Sequence, residues 1–186
     1  QGYMWFSSIG GLNRYDGTGF TFTDRLESDS GRVAFTICRS MISDSSGRLF
    51  FGFENGLGEY DFRKRQIRMV PSVGDIWVLD MFSVNDTTLM LITYTGWMRY
   101  NPVSGRVLKD NQISRHPIFS KRPGPWTFNH NKLIVANNGT VSVYDFSTDA
   151  LKQLTLPASL PQNRITNLAV DVEENLWLRY GMNNNI

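Results

Sequence analysis

The side chains that could do chemistry are few and scattered. The two histidines, His116 and His130, have no His, Cys or carboxylate at ligand spacing, so the sequence offers no zinc site. Cys38 is alone, which excludes an intrachain disulfide, and its neighbours Phe35, Ile37 and Ile42 suggest a buried small apolar residue. Asp24, Glu27 and Asp29 lack the alternating ligand order and sixth-position glycine of a calcium loop, and read as a solvated connection. The string GFENGLG at 52–58 lacks the G-x-G-x-x-G order and opens no helix, so it has no helix N-terminus with which to cradle a phosphate. No Ser, Thr or Cys stands in a recognisable context with a partnering histidine. The glycosylation-type triplets Asn85-Asp86-Thr87 and Asn138-Gly139-Thr140 are sufficiently explained as turns. The sequence implies no cofactor and no metal.

Carboxylates remain. Cleavage of a glycoside needs two of them about 5 to 9 Å apart in space, which no linear motif reveals. Asp16, Asp61 and Asp145, however, each follow a tyrosine and recur with a repeat. An acid copied into every unit reads as a structural device, because a unique active site would not be copied.

That repeat organises the chain. An apolar run, a glycine turn and a closing Tyr-Asp occur in MWFSSIGGLNRYD at 4–16, and the pattern returns from Leu49 to Tyr60-Asp61, Leu89 to Tyr100-Asn101 and Leu133 to Tyr144-Asp145. The first apolar residue and the tyrosine stand 11 apart in every copy, and a fifth copy starts at Leu176. The copies begin 45, 40, 44 and 43 residues apart. Such a period belongs to propeller blades or helical solenoids. Short β-branched and aromatic runs bounded by Gly, Asn, Asp or Ser, with no 3.6-residue periodicity, set helices aside.

The runs MWF, LFF, LMLI, LIVA and LWL are apolar on consecutive residues. A strand with one wet face would alternate, whereas a blade is covered on both faces by its neighbours. A β-sandwich with buried central strands is the other architecture that fits, and the regular spacing favours blades. The expected fold is all-β: four-stranded antiparallel propeller blades, about four of them, as part of a longer array. The expected units are 1–32, 33–74, 75–124 and 125–164, with 165–186 starting the next blade. Within them, residues 24–32 read as a polar connection and 33–42 as one innermost strand.

Composition bounds the partners. With 19 Lys plus Arg against 17 Asp plus Glu, the net charge of +2 gives no single-signed field, so nucleic acid is not implied. The basic cluster Arg63, Lys64, Arg65 and Arg68 falls at a hairpin turn and reads as solvated. No apolar run approaches the roughly 18 residues of a membrane span.

The strings MWFSSIGGLNRYDG, GRLFFGFENGLGEYD and NLWLRYG resemble the two-component regulator propeller repeat, with a signature close to D-x-x-G-x-LWFGT-x-x-GL-x-RYD. The resemblance covers essentially the whole chain. The third copy departs at Trp97 and Asn101, and the fourth at Gly139-Thr140. In that family the repeats form the periplasmic sensor of membrane-bound hybrid histidine kinases of Bacteroides-type bacteria. The resemblance implies binding of oligosaccharides, a rearranging homodimer and further blades in the parent chain. It implies no direct membrane contact by this stretch and, since no kinase segment is present in it, no catalysis by it. A polysaccharide lyase or hydrolase built on a propeller, and a protein-binding scaffold, are the rival readings.

A saccharide site needs an aromatic face for the ring and a few fixed polar groups for hydroxyls. Propeller ligands usually sit on the face carrying the loops between blades and between the first and second outer strands. That choice selects Glu54, Asn55, Tyr94, Arg115, His116 and Arg164, and places His130 and Asp44 on the opposite rim.

Overall fold

The computed structural model describes residues 2–8, 10–109, 116–119, 123–137, 140–157 and 165–181. It divides into two compact units, Gln1–Lys109 and Asp110–Ile186. In the first unit β1 (Met4–Ser8), β2 (Gly11–Tyr15) and β3 (Phe20–Thr23) form a three-stranded sheet. Next come β4 (Arg25–Ser28), β5 (Gly31–Ala34), β6 (Cys38–Ser43), β7 (Leu49–Phe53), β8 (Gly56–Asp61) and β9 (Gln66–Met69), in the sheet order β5-β4-β9-β8-β7-β6. The third sheet is the meander β10 (Val78–Asn85), β11 (Thr88–Thr93), β12 (Gly96–Asn101) and β13 (Arg106–Lys109).

The 11-residue spacing has a direct geometric cause. Across each central hairpin the first apolar residue faces the tyrosine: Met4 pairs Tyr15, Leu89 pairs Tyr100 and Leu133 pairs Tyr144. Gly56 and Gly96 turn two of these hairpins at φ of 129° and 141°, a region that side chains disfavour. At Gly56 the space is closed as well, because an added Cβ would come within 2.8 Å of the Gly74 carbonyl oxygen.

Consecutive apolar residues part to opposite sides of their sheet. Phe51 and Phe53 join Leu12, Leu26, Tyr60 and Ile67 in the core against the β1–β3 sheet. Phe50 and Leu57 join Val78, Leu89, Leu91, Met98 and Tyr100 in the core against the β10–β13 sheet. The repeated tyrosine closes each of these interfaces. The Tyr60 ring meets Trp5 edge-on at 4.8 Å and Tyr100 meets Phe50 at 6.4 Å, so each tyrosine packs on the second apolar residue of the preceding copy. Arg14 Nη1 also donates to the Tyr60 hydroxyl at 2.7 Å. The far face of the β1–β3 sheet is apolar and uncovered, with Met4, Phe6, Phe20 and Phe22 exposed.

The acid after the tyrosine caps the following turn. Asp16 accepts the amides of Thr18 and Gly19, Asp61 those of Arg63 and Lys64, and Asp145 that of Ser147. Asn101 accepts those of Val103 and Ser104 in the same way, so the departure from Asp in the third copy leaves the turn intact. Amide donation favours the ionised form, holding Asp16 down at about 2 and lowering Asp61, while Asp145 is lowered first by the Ser147 hydroxyl and then by its amide.

The connection expected at 24–32 is instead a hairpin, β4–β5, and the innermost strand is only β6 and not the whole of 33–42. Gly31, at φ 113°, permits the reversal. Leu26 is fully buried between the sheets, and a single parallel bridge from Glu27 to Arg68 adds the hairpin to the β9 edge. Glu27 pairs with Arg32 at 3.0 Å and Asp29 with Arg68 at 2.6 Å, so these acids serve the hairpin. Covering a sheet edge in this way also removes a template for adventitious pairing.

In the second unit β14 (Trp126–Asn129), β15 (Lys132–Asn137), β16 (Thr140–Asp145) and β17 (Ala150–Leu154) repeat the four-stranded meander. A further hairpin, β18 (Ile165–Val170) with β19 (Leu176–Tyr180), packs on it through Ile134, Ala136, Val141, Ile165 and Leu168. The one described helical segment is a 3-10 turn at Pro117–Phe119. No described helix is long and apolar enough to cross a membrane.

Two outcomes follow. Phe50→Ala, emptying a fully buried interface position, is expected to lower the unfolding free energy by about 3–5 kcal/mol, against under about 1 kcal/mol for Phe62→Ala at an exposed ring; urea melts measure both. Asp16, Asp61 and Asp145 have native pKa values below their unfolded ones, so their stabilisation is present above about pH 4 and is lost as pH falls toward 2. Burial raises Glu59 and Asp80, which oppose this trend. The informative quantity is therefore the difference between wild type and an Asp16→Asn, Asp61→Asn, Asp145→Asn variant. Thermal melts from pH 5 to 2.5 are expected to show a flatter decline in the variant.

Candidate functional site

The hairpin turns β7–β8 and β11–β12 lie at the same ends of two adjacent sheets, and they carry three of the six shortlisted residues. Glu54 and Asn55 form the first turn, and Tyr94 opens the second. The innermost strands β6 and β10 begin at this rim, since Cys38 pairs Phe53 and Val78 pairs Thr93. Each strand is bulged just after that pair, between Cys38 and Ser40 and between Val78 and Asp80. A bulge re-aims the side chain at its extra residue, and in β6 that residue is Arg39.

Arg39 makes an ion pair with Glu54 and lies over the Trp77 ring, with the guanidinium carbon 5.5 Å from the ring centre. Trp77, immediately before β10, meets Tyr94 at 5.7 Å with 61° between the rings. The Tyr94 amide donates to the Trp77 carbonyl at 3.1 Å, which locks the two residues together at the backbone. Asn55 Oδ1 accepts from the Thr36 hydroxyl at 2.8 Å, leaving its amide NH₂ directed elsewhere. The result is an open aromatic corner flanked by a charge pair. Trp77 is 45% exposed and Tyr94 63%. The Trp77 indole N–H, the Tyr94 hydroxyl and the Asn55 NH₂ have no partner among the described residues. Aromatic surface left exposed beside fixed donors and acceptors is suited to binding.

Of the other shortlisted residues, His116 is described, and it belongs to the second unit. His116 precedes the 3-10 turn in the second unit, where its Nε2 donates to the Asp149 carbonyl at 2.9 Å and its ring lies 5.5 Å from Tyr144. Tyr144 in turn donates to Asp149 Oδ1 at 2.6 Å. Asp149 lies in the β16–β17 turn, at the sheet end that carries the β14–β15 turn of His130. His116 therefore sits at the rim opposite to the one expected, because its segment is drawn onto the Tyr144, Phe119 and Phe146 ring cluster. Arg115, Arg164, Asn138 and Gly139 lie outside the described residues.

Sequence reasoning missed Arg39 and Trp77. These two stand at the start of innermost strands and not in loops, and only the pairing register brings them to the rim. The available signal was an exposed-type Arg and Trp one residue from positions that align with the ends of the Gly56 and Gly96 hairpins.

Other chemistry-bearing groups are accounted for by structure. Cys38 is buried, and desolvation pushes its thiol up to about 11, which makes it inert. Asp44 is held by Arg48 at 2.6 Å in the β6–β7 turn. No three His, Cys, Asp or Glu residues among those described are grouped to hold a metal.

Solved structures similar to this chain are β-propellers, and they show its fold: a run of propeller blades. One is an extracellular domain assigned to the hybrid two component system BT4673 of B. thetaiotaomicron, 17% identical with a TM-score of 0.68, matched over 95% of this chain and 24% of that one. A second is the extracellular domain assigned to the hybrid two component system BT3049 of the same organism, 19% identical with a TM-score of 0.67, over 96% of this chain and 26% of that one. A third is virginiamycin B lyase of Staphylococcus aureus, solved with quinupristin, 15% identical with a TM-score of 0.61, over 98% of this chain and 64% of that one. This chain thus spans about a quarter of the length of those extracellular domains. No family model matches the sequence, and no curated protein does.

Two aromatics of the third sheet, Tyr94 and Trp97, contrast an exposed ring with a core one. Tyr94→Ala is expected to change stability by less than about 1 kcal/mol, whereas Trp97→Ala, at 1% exposure three residues later, is expected to cost about 3–5 kcal/mol. Paired chemical denaturation curves measure the contrast.

Proposed function

We propose that this chain is part of the periplasmic ligand-sensing propeller of a hybrid two-component histidine kinase, and that it binds oligosaccharide at the Arg39, Glu54, Trp77, Tyr94 corner. The observation that carries the reading is that corner. Two contacting aromatic rings keep 45% and 63% of their surface exposed, and a guanidinium paired with a carboxylate lies against Trp77, groups suited to meet hydroxyls. The likeness to the extracellular domains of hybrid two component systems supports the sensor context and the periplasmic location.

The chain works by binding and not by covalent chemistry. The remaining blades of the parent protein complete the array, and the parent acts as a homodimer whose arrangement ligand shifts. Such a shift requires ligand to prefer one arrangement over the other, since equal affinity for both moves nothing. Neither nucleic acid nor direct contact with the bilayer belongs to this reading.

A second reading, a propeller lyase or hydrolase, draws on the likeness to virginiamycin B lyase. One experiment separates the two. The protein carrying this chain at its native length is titrated with oligosaccharide panels by calorimetry, and the mixtures are then analysed for degradation. The sensor reading expects saturable binding with the saccharide recovered intact, and at least about tenfold weaker binding in Trp77→Ala, in line with loss of one aromatic anchor. Degradation of a bound saccharide would establish the enzyme reading instead.

A further inference from the structure

The charge balance at the corner makes a prediction about which sugars it takes. Arg39 is the guanidinium that faces the aromatic pair, and unopposed it would attract carboxylated or sulfated saccharides. It is not unopposed. Glu54 is ion-paired with it, and the two side chains keep 36% and 21% of their surface, so both still reach solvent at the rim. The pair sums to zero charge, and it places a fixed donor fork directly beside a fixed acceptor. One carboxylate oxygen of Glu54 takes the guanidinium, and the other has no partner among the described residues. Asp75, two residues before Trp77, is exposed and adds a second negative charge to this stretch.

We propose that the corner is selective for uncharged pyranoses and reads a vicinal diol, with Glu54 as the residue that excludes acidic sugars. This rests on the saccharide-binding reading above. One hydroxyl of the diol donates to the free Glu54 oxygen and its neighbour accepts from an Arg39 N–H, while the ring's apolar face lies on the aromatic corner. A uronate carboxylate brought to the same place meets the Glu54 charge at a few ångström and finds the Arg39 charge already neutralised. Discrimination of this kind comes from a repulsive element built into the site as well as from attraction.

The test compares neutral oligosaccharides of glucose, mannose and galactose with oligoglucuronate and oligogalacturonate, on the wild-type protein at native length and on Glu54→Gln. Glutamine keeps an oxygen for Arg39 but removes the opposing charge, and a thermal melt confirms that the variant is folded. The expected result is that wild type prefers the neutral series. In Glu54→Gln the ratio of uronate to neutral affinity rises by roughly tenfold or more at low salt, the size expected for removing one close like-charge repulsion in partly solvated surroundings, and the gain shrinks as salt is added. Wild-type protein that binds uronates as tightly as neutral sugars, or a folded Glu54→Gln whose ratio is unchanged, overturns the selectivity while leaving saccharide binding in place. Binding of neither series overturns both.

Discussion

The structure depends on one constraint: a strand buried on both faces must send neighbouring apolar residues to different interfaces. Phe50 and Phe51 obey it most visibly, one packing toward the sheet that follows and the other toward the sheet that precedes. In the first unit two repeated tyrosines then close the interfaces by resting on the second apolar residue of the copy before, Tyr60 on Trp5 and Tyr100 on Phe50. Because the second and third sheets of the first unit are wedged together through the core of Phe50, Leu57, Val78 and Leu89, the turns at their ends are held in fixed relation. That packing brings the Glu54 turn of one sheet and the Tyr94 turn of the next to one corner.

Polar residues in the repeat serve that scaffold, and the candidate corner lies where the repeat is broken. Asp16, Asp61, Asn101 and Asp145 perform the same turn-capping task in four units, and none is free for chemistry. Arg39 and Trp77, by contrast, have no counterparts at the matching positions. Cys38 aligns with Val78 through the strand pairs, which sets Ile37 beside Trp77 and Arg39 beside Leu79. Function in a repeat protein is sought in such differences between copies, since the shared residues are committed to folding.

This distinction explains what could be read from the chain alone. The period, the consecutive apolar runs and the Tyr-Asp closures are dictated by local pairing and two-sided burial, and both leave a mark in linear order. The β4–β5 hairpin left a weaker mark. Its single buried anchor, Leu26, stands among Arg, Glu, Ser and Asp, so the stretch reads as solvated until the β9 edge beside it is known. Glu54, Asn55 and Tyr94 can be placed at one rim from the sequence because turns announce themselves. Arg39 cannot, because its side chain reaches the rim through a bulge. His116 was misplaced because a long connection says nothing of which end of a sheet it will settle on.

Hydrogen exchange followed by mass spectrometry, on the native-length protein with and without a bound neutral oligosaccharide, tests the central claim most directly. Ligand is expected to protect amides in residues 36–41, 53–56, 75–78 and 93–96, the four segments that build the corner, and to leave the opposite turns at 44–48 and 85–87 unchanged. Protection centred on those opposite turns, or spread evenly over the sheets with none at the corner, would contradict it.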